Sequence, residues 1–494
     1  MKHYSARFIA LCLLVSLLAG CGGGETPSGA DTTTAAPEVT TQSVEEILGF
    51  AREDNGGKTF TMLVAETKGY EYDAEEATGD VVSDAVYAKN TAVEDYLGID
   101  FEFLYEDGNW NNRGAFNAMI SADVMSGDST YDLVSAVTVC TVSAATEGIF
   151  MEGKSLDCDF DKPWWIADMY DRFSVAGKLY GFIGDASLSL YKDMTVVYFN
   201  KRIWDEYNQP NPYELVRNNE WTIDKMAELT AGMAADLNGD GTYDYENDQV
   251  AYLAEGVPNG TFQTSLELKV VEIDKDGIPQ YLGLSEKFVN AFEKMKTFHK
   301  NPGIIIMSTI DDASYTSMKT FANNNVATMV NFIYSTEYLR DMKDDYGILP
   351  MPKYDKNQEK YVSQLGTSTS MMFVPVTTKD PALTSKVMEA CCYYTGELDV
   401  PKYYEVALKE KYARDEDIAE MLDIIRDGAA FDFLFVYGAG CLTSAPNSYF
   451  RFYNYSTKTT DTTDVDIASK FASSETAFMT SLETFIDKVS KLEN

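Results

Sequence analysis

Histidine, paired cysteine motifs and positive charge are the scarce features of this 494-residue sequence. Only two histidines occur, His3 and His299, and His3 lies in the first 21 residues. A histidine-rich zinc site is therefore excluded, and a catalytic triad could use only His299. His299 continues an apolar helical stripe, which favours a packed position over a catalytic base. The seven cysteines contain no Cys-x-x-Cys spacing. A disulfide framework is therefore not indicated, and buried unpaired thiols are favoured over one or two bridges.

The balance of charge is strongly negative. Forty basic residues oppose 78 acidic ones, for a formal net charge of −38. Such a chain repels nucleic acid and anionic headgroups, so neither is expected as a partner. Hydrophobic residues make up 45% and aromatic residues 13% of the sequence. This length and composition predict a globular body of two or three domains, or of two lobes.

The first 21 residues have the layout of an export signal. Lys2 and Arg7 precede the apolar run Phe8–Leu18, which is too short to span a bilayer of about 30 Å as a helix. The run ends in Leu18-Ala19-Gly20-Cys21, which resembles the lipobox of bacterial lipoproteins, whose cysteine becomes the acylated N-terminus. We expect residues 1–20 to be removed and Cys21 to carry the lipid. The alternative is a plain secreted protein whose cleavage site abuts a cysteine.

The residues after Cys21 read as a tether that leads into a sheet. Residues 21–57 begin with a Gly/Thr/Ser/Ala/Pro-rich stretch, which predicts a disordered linker. Strands are then predicted at 59–64, 99–105 and 131–137. A helix capped by Ser83 or Asp84 and a second helix over 115–126 lie between them. Strand, helix, strand, helix, strand is the order of a parallel α/β sheet.

Several later stretches resemble one known family. They are GKLYGFIGDASLSLY from Gly177, Phe199-Asn200-Lys201, the helix start at Trp221-Thr222, and Tyr346–Lys353. The residue patterns of these stretches, and the order in which they follow one another, are similar to those of the family 1 extracellular solute-binding proteins, the carbohydrate-type receptors of ABC importers. The family's usual proline is missing at Phe182-Ile183. The resemblance runs over about residues 58–400.

The resemblance implies a fold and a division of the chain. The expected architecture is an α/β, two-lobed, type II periplasmic-binding-protein-like fold with a helix-rich second lobe and three crossings between the lobes. Lobe one would contain residues 58–184 and 332–366, and lobe two residues 190–330 and 370–494. The crossings are expected near 184–190, 329–334 and 365–371. A ligand would lie in the cleft, and closure would be a hinge motion.

An acidic loop carries the sharpest chemical motif. Oxygen-bearing residues alternate along it around Gly241, in the spacing of an EF-hand calcium loop. Asn247 stands where a closing acid is usual, so Asp248 is favoured as the last ligand. The expected structural Ca²⁺ ligands are Asp236, Asn238, Asp240, Thr242, Asp244 and Asp248. The alternative is an acidic Asx-rich turn without a metal.

Candidate ligand contacts follow from the chemistry of sugars. Aromatic rings stack on the apolar faces of sugars, and carboxylates accept hydrogen bonds from their hydroxyls. Positions at strand ends and crossings are therefore favoured, although most aromatic residues in such a composition lie in the core. The candidates are Glu66, Trp110, Asp185, Tyr191 and Tyr334.

The expected function is that of a receptor rather than an enzyme. We expect a monomeric, lipid-anchored protein on the outer face of a bacterial membrane that delivers a sugar or oligosaccharide to an ABC permease, with no organic cofactor. Two alternatives stay open. One is a surface-anchored glycoside hydrolase, since paired carboxylates cannot be picked out among 78 acids, although no G-x-S-x-G motif occurs. The other is a glycan-binding lipoprotein without a role in transport.

Overall fold

The computed structural model describes residues 42–72, 74, 76–166, 169–307, 316–403, 416–447, 449–454, 459–461 and 464–493. The predicted signal, Cys21 and the tether up to residue 41 lie outside these ranges. In the part of the chain that is described, no helix has both the length and the apolar character needed to cross a membrane. The chain divides into two compact units between Arg52 and Glu53.

Fifteen strands are described, most of them short. They are β1 Lys58–Ala65, β2 Ile99–Glu106, β3 Leu133–Val137, β4 Thr195–Asn200, β5 Tyr252–Glu255, β6 Val271–Ile273, β7 Pro279–Tyr281, β8 Ile304–Met307, β9 Thr328–Phe332, β10 Tyr346–Leu349, β11 Ser363–Gln364, β12 Ser370–Phe373, β13 Ala429–Ala430, β14 Tyr453–Asn454 and β15 Thr459–Thr460.

The described helices range from one turn to 24 residues. They are α1 Val44–Leu48, α2 Val81–Leu97, α3 Arg113–Ser126, α4 Thr138–Thr141, α5 Met169–Phe173, α6 Ser189–Lys192, α7 Lys201–Glu206, α8 Pro212–Arg217, α9 Ile223–Thr230, α10 Gly256–Gly260, α11 Phe262–Ser265, α12 Glu286–His299, α13 Thr316–Ala322, α14 Pro381–Tyr394, α15 Glu416–Asp427, α16 Phe433–Tyr437 and α17 Ile467–Ser490.

The smaller unit contains α1, inside the stretch predicted as tether. The Ser43 hydroxyl accepts a hydrogen bond from the Glu46 backbone N–H, and the Glu46 carboxylate accepts one from the Ser43 N–H. Gly49 ends the helix in the left-handed conformation. The tether prediction is therefore wrong for these residues. The Ser-x-x-Glu spacing of a capping box is visible in the sequence and identifies the helix.

Sheet one has the strand order β12-β3-β1-β2. Strands β1, β2 and β3 run parallel, and β12 lies antiparallel to β3. The helix between β1 and β2 begins earlier than predicted, because Asp80 rather than Ser83 or Asp84 accepts the backbone N–H groups of its first turn. The three predicted strands and the two intervening helices of this sheet are confirmed.

Sheet two has the strand order β10-β4-β9-β5-β8. Its parallel strands are β9, β5 and β8, whereas β4 and β10 run antiparallel to their neighbours. Thr222 caps α9, as predicted, by accepting a hydrogen bond from the Lys225 N–H. Together the two sheets and their helices form the two-lobed α/β fold that the sequence predicts.

Two strands pair in the opposite lobe from the one expected. The prediction placed residues 332–366 in lobe one, but β10 pairs with β4 in sheet two. It placed residues 370–494 in lobe two, but β12 pairs with β3 in sheet one, and α14 packs on α2. The cause is that the chain crosses back to sheet one at 365–370 rather than at 329–334.

The crossings follow from this pairing. Those near 184–193 and 365–370 run side by side, joined by the hydrogen bond from the Gly366 N–H to the Asp193 carbonyl. The crossing expected at 329–334 is wrong, since β9 and β10 both belong to sheet two. A third passage lies between the turn Thr395–Asp399, which packs on α2, and α15, which packs on β10.

Buried residues behave as the sequence predicts at His299 and the cysteines. His299 is 2% exposed, its Nδ1 lies 2.6 Å from the Met295 carbonyl oxygen, and its ring stacks on Phe452. Burial lowers the pKa of His299 to about 4, which keeps the ring neutral. Cys140, Cys158, Cys391, Cys392 and Cys441 are free thiols.

Candidate functional site

The carboxyl ends of strands in the two sheets approach each other beside the first crossing, and the space between them is the candidate cleft. In sheet one the turn Glu66–Glu71 follows β1, and in sheet two the turn Ile333–Tyr338 follows β9. One side chain reaches both turns. The Lys192 Nζ lies 2.9 Å from a Glu337 carboxylate oxygen and 4.3 Å from the centre of the Tyr70 ring. The two turns therefore face each other across the first crossing.

The floor of the cleft is a buried carboxylate. Glu71 is 1% exposed, and its two oxygens accept hydrogen bonds from the Ser189 N–H at 2.7 Å and the Ser370 hydroxyl at 2.6 Å. The Ser370 N–H donates in turn to the Ser189 hydroxyl at 2.9 Å. Ser189 lies on the first crossing and Ser370 on the second. One carboxylate thus binds the turn after β1 to both crossings.

A buried ion pair lies beside this floor. Lys68 and Asp193 are almost inaccessible, and the ammonium lies 3.6 Å from a carboxylate oxygen. The Ser368 hydroxyl donates to the same Asp193 oxygen at 2.7 Å. Charged groups are retained in an interior when they are paired and hydrogen-bonded. These residues therefore fix the start of β4 against the turn after β1.

Partly exposed aromatic side chains lie on three of the segments that follow strands of the two sheets. Tyr70 is 36%, Trp110 45% and Tyr338 37% exposed. They lie on the segments that follow β1, β2 and β9. The Arg113 guanidinium lies 3.8 Å from the centre of the Trp110 ring. Exposed rings at the mouth of a cleft offer flat apolar surfaces to a ligand.

Three of the five predicted ligand residues lie on these cleft segments. Glu66 is exposed at the start of the turn after β1, Trp110 is exposed on the loop after β2, and Tyr334 is half-buried on the turn after β9. The Tyr334 ring stacks on that of Phe332 at 5.7 Å. Their contact with a ligand stays a prediction.

The other two predicted residues lie in the interior and bind each other. The Tyr191 hydroxyl donates a hydrogen bond to an Asp185 carboxylate oxygen, and both residues are 6% exposed. Burial raises the pKa of Asp185 to about 7, although the bond from Tyr191 opposes the shift. The pair contributes to the structure around the first crossing, and its contact with a ligand also stays a prediction.

Sequence reasoning missed Tyr70, Lys192, Glu337 and Tyr338. Tyr70 and Tyr338 were hidden among 32 tyrosines. The usable signal was position, because residues just after parallel strands gather at the carboxyl edge of a sheet. Lys192 and Glu337 lie far apart in sequence, so only the fold shows that they meet.

The acidic loop is organised by backbone hydrogen bonds. The two Asp236 carboxylate oxygens accept from the N–H groups of Gly239 and Gly241, at 2.6 and 2.9 Å. Asp248 is fully buried and accepts from the N–H groups of Leu237 and Asp244, both at 2.9 Å. These carboxylates are directed at amides rather than at a common centre.

The described arrangement of this loop does not fit the predicted ion. Across the ranges that the structure describes, which include all of 236–248, no three His, Cys, Asp or Glu side chains are grouped so as to hold a metal ion. Calcium at Asp236, Asn238, Asp240, Thr242, Asp244 and Asp248 therefore stays a prediction, and it requires these oxygens to converge on one centre.

Calcium binding is tested by melting the soluble protein with Ca²⁺ and with EDTA. If the prediction holds, Ca²⁺ raises the melting temperature of the wild type and not that of Asp240→Asn. Asparagine keeps the oxygen that accepts from the Thr242 N–H at 2.8 Å, so the turn persists while a ligand charge is lost. Equal melting temperatures in Ca²⁺ and EDTA would contradict the prediction.

The Asp185 carboxyl predicts a pH dependence of stability. Its pKa rises from 3.8 to about 7 on folding, so between these values the folded protein holds a proton that the unfolded chain releases. The free energy of unfolding therefore falls as pH rises from about 4 to 7, by up to about 4 kcal/mol from this group. Asp185→Asn should flatten the dependence in urea unfolding at pH 5 and pH 8.

The control for this measurement is Glu228→Gln on α9, whose side chain is 64% exposed. Glu389, whose pKa burial also raises to about 7, is present in all three proteins, so the difference between Asp185→Asn and wild type isolates one group. If the free energy of unfolding of Asp185→Asn changed with pH as much as that of the wild type, Asp185 would not be the group responsible.

Comparisons with known proteins agree with this architecture. A protein family described as bacterial extracellular solute-binding protein matches residues 111–393, more than half of the chain. A search of the curated proteins gave no match.

Solved structures share the fold at low sequence identity. The galacto-N-biose/lacto-N-biose I-binding protein of an ABC transporter from Bifidobacterium longum, in complex with lacto-N-biose, is 14% identical with a TM-score of 0.55, over 88% of this chain and 99% of that one. A sugar transporter from Rhizobium etli in an open conformation is 15% identical with a TM-score of 0.53, over 88% and 100%.

A cyclo/maltodextrin-binding protein complexed with maltotetraose is 12% identical with a TM-score of 0.52, over 89% of this chain and 98% of that one. At these identities the likeness concerns the fold, whereas the match of the family includes both crossings and the turn after β9 but begins after the turn Glu66–Glu71 and Trp110. The chain belongs to the bacterial extracellular solute-binding proteins.

Proposed function

We propose that this protein is a lipid-anchored receptor that binds a neutral sugar or oligosaccharide in its cleft and delivers it to an ABC importer. The observation that carries the proposal is the pair of exposed side chains Trp110 and Tyr338 on segments that follow β2 and β9. Aromatic faces of this kind suit the apolar faces of sugar rings. The sugar-binding proteins that share the fold support the same class of ligand.

The charges at the cleft favour a neutral solute. Lys68 is paired with Asp193, and Lys192 is paired with Glu337. These four groups sum to no net formal charge, and an anionic ligand would have to displace a carboxylate from its lysine. Glu66, Glu71 and Arg113 add two acidic side chains and one basic one, so the cleft has no excess of positive charge. A sugar needs no such exchange, since its hydroxyls can bond to neutral partners and to the exposed Glu66 carboxylate.

Sugar binding is tested on a soluble form that begins at residue 21 and carries Cys21→Ala. Thermal shift and calorimetry with lacto-N-biose, maltotetraose and monosaccharides should give a ligand that stabilises the fold by about 2.7 kcal/mol at 100 times its dissociation constant. Trp110→Ala should weaken binding about tenfold or more, the loss typical of a buried aromatic contact. The sugar should be recovered unaltered.

Tyr243→Ala is the control for the loss of an exposed aromatic ring away from the cleft. Tyr243 is 37% exposed, as Tyr338 is, but it precedes β5, whereas Tyr338 follows the parallel strand β9. The two rings therefore lie at opposite edges of sheet two. Equal losses of sugar affinity in Trp110→Ala and Tyr243→Ala would argue against binding in the cleft. Cleavage of the sugar would favour a glycoside hydrolase.

Lipid anchoring is tested by fractionating bacteria that express the full chain. We expect the wild type in the membrane fraction and Cys21→Ala in the soluble fraction, because a lost thiol leaves no atom to carry the lipid. Cys12→Ala is the control, since Cys12 belongs to the part of the signal that is expected to be removed. Membrane retention of Cys21→Ala would contradict a single anchor at this residue.

A further inference from the structure

The helix α17 contacts both lobes, and its N-terminal half is held by the second lobe through aromatic residues. The Phe471 ring lies 5.7 Å from that of Phe288 on α12, and the Phe478 ring lies 5.7 Å from that of Tyr281 on β7. The Tyr281 hydroxyl donates to a Glu475 carboxylate oxygen at 2.8 Å. Helix α12 in turn packs on β8 of sheet two.

The other end of α17 is held by lysines and by the Phe485 ring, which lies 5.2 Å from that of Tyr437 on α16, and α16 packs on α4 of the first lobe. The Lys488 ammonium donates to the Thr146 hydroxyl at 2.9 Å. The Lys178 ammonium donates to the carbonyl oxygens of Ser490, at 3.2 Å, and of Leu492. Thr146 lies on the turn after α4, which continues directly from β3 of sheet one.

A small void borders this second end of α17. A void of about 10 Å³, roughly the space of one water molecule, lies between the first lobe and the helix. Val142, Ala145 and Tyr180 line it from the first lobe, and Phe485 and Val489 from α17. Atoms that border a void lose dispersion contacts on that side. The void therefore removes some of the packing that would otherwise hold this end of α17 on the first lobe.

A helix with these two attachments couples the lobes without a covalent link. Its 24 residues extend over roughly 36 Å, and an intact helix resists changes of length. We propose that α17 is a strap that helps to hold the two lobes in the described arrangement, so that release of its C-terminal end allows the lobes to move apart. The strap adds to the three covalent crossings, and the inference depends on the two lobes rather than on the proposed sugar.

The strap predicts that loss of the lysine contacts separates the lobes. In the ligand-free soluble protein, Lys488→Ala combined with Lys178→Ala should raise the radius of gyration in small-angle X-ray scattering. Hydrogen exchange should become about fivefold faster for each lost contact at 144–147 and 485–492, the factor that one ordinary hydrogen bond gives. Exchange at 467–478 should not change, because the aromatic contacts remain.

Lys491→Ala is the matched control. Lys491 is 70% exposed and bonds to Asp487 of its own helix, so its loss should leave scattering and exchange unchanged. Lys488→Arg should restore the wild-type behaviour, because arginine can also donate to Thr146. Thr146→Val removes the acceptor with little change of volume and serves if the double variant lacks a cooperative melt.

Two results would overturn the strap. In the first, the lysine variants and Lys491→Ala give the same radius of gyration and the same exchange. In the second, hydrogen exchange in the lysine variants becomes faster along the whole of 467–492. The helix would then detach as one piece, with neither end anchored. Neither readout uses a sugar, so failure of the proposed ligand class would leave this test intact.

Discussion

The arrangement of the two lobes depends on the buried carboxylate of Glu71. It accepts from the Ser189 N–H on one crossing and from the Ser370 hydroxyl on the other, and the Lys89 ammonium donates to the Glu71 carbonyl at 2.7 Å. A buried acid without such partners would cost several kcal/mol. Since the two partners of the carboxylate come from distant parts of the sequence, they can be satisfied together only when both crossings are in place. The polar network therefore specifies the hinge, whereas apolar packing alone would allow it to slide.

Much of the first lobe is predictable because its signals are local. Strands β1 and β2 are apolar or alternating runs, and the helices after them end at Gly98 and Gly127, both in the left-handed conformation that glycine tolerates. The lobe membership of β10 and β12 is not local. Each strand has four residues, all buried, and a short apolar strand carries no mark of which sheet it will join. The sequence order of crossings was therefore the part of the fold that pattern reasoning assigned wrongly.

The candidate site divides in the same way. Glu66 and Trp110 follow parallel strands, and the rule that such residues gather at one edge of a sheet placed them on the cleft. Asp185 also lies next to a crossing, but its hydrogen bond to Tyr191 turns it inward. Sequence position predicts where the backbone passes and not which way a side chain points. That direction depends on partners elsewhere in the chain.

The charge of the chain and the character of the cleft have separate physical roles. A net charge of −38 creates a field that acts on ions and hardly at all on an uncharged solute. Within the cleft, Lys192 is neutralised by Glu337 while its ammonium lies over the Tyr70 ring. That cation occupies one aromatic surface that a sugar could use. The Arg113 guanidinium likewise covers one face of the Trp110 ring, and Trp110 stays 45% exposed. If the proposed ligand is a sugar, recognition must therefore come from contact and shape at the exposed ring, because the field supplies neither attraction nor orientation.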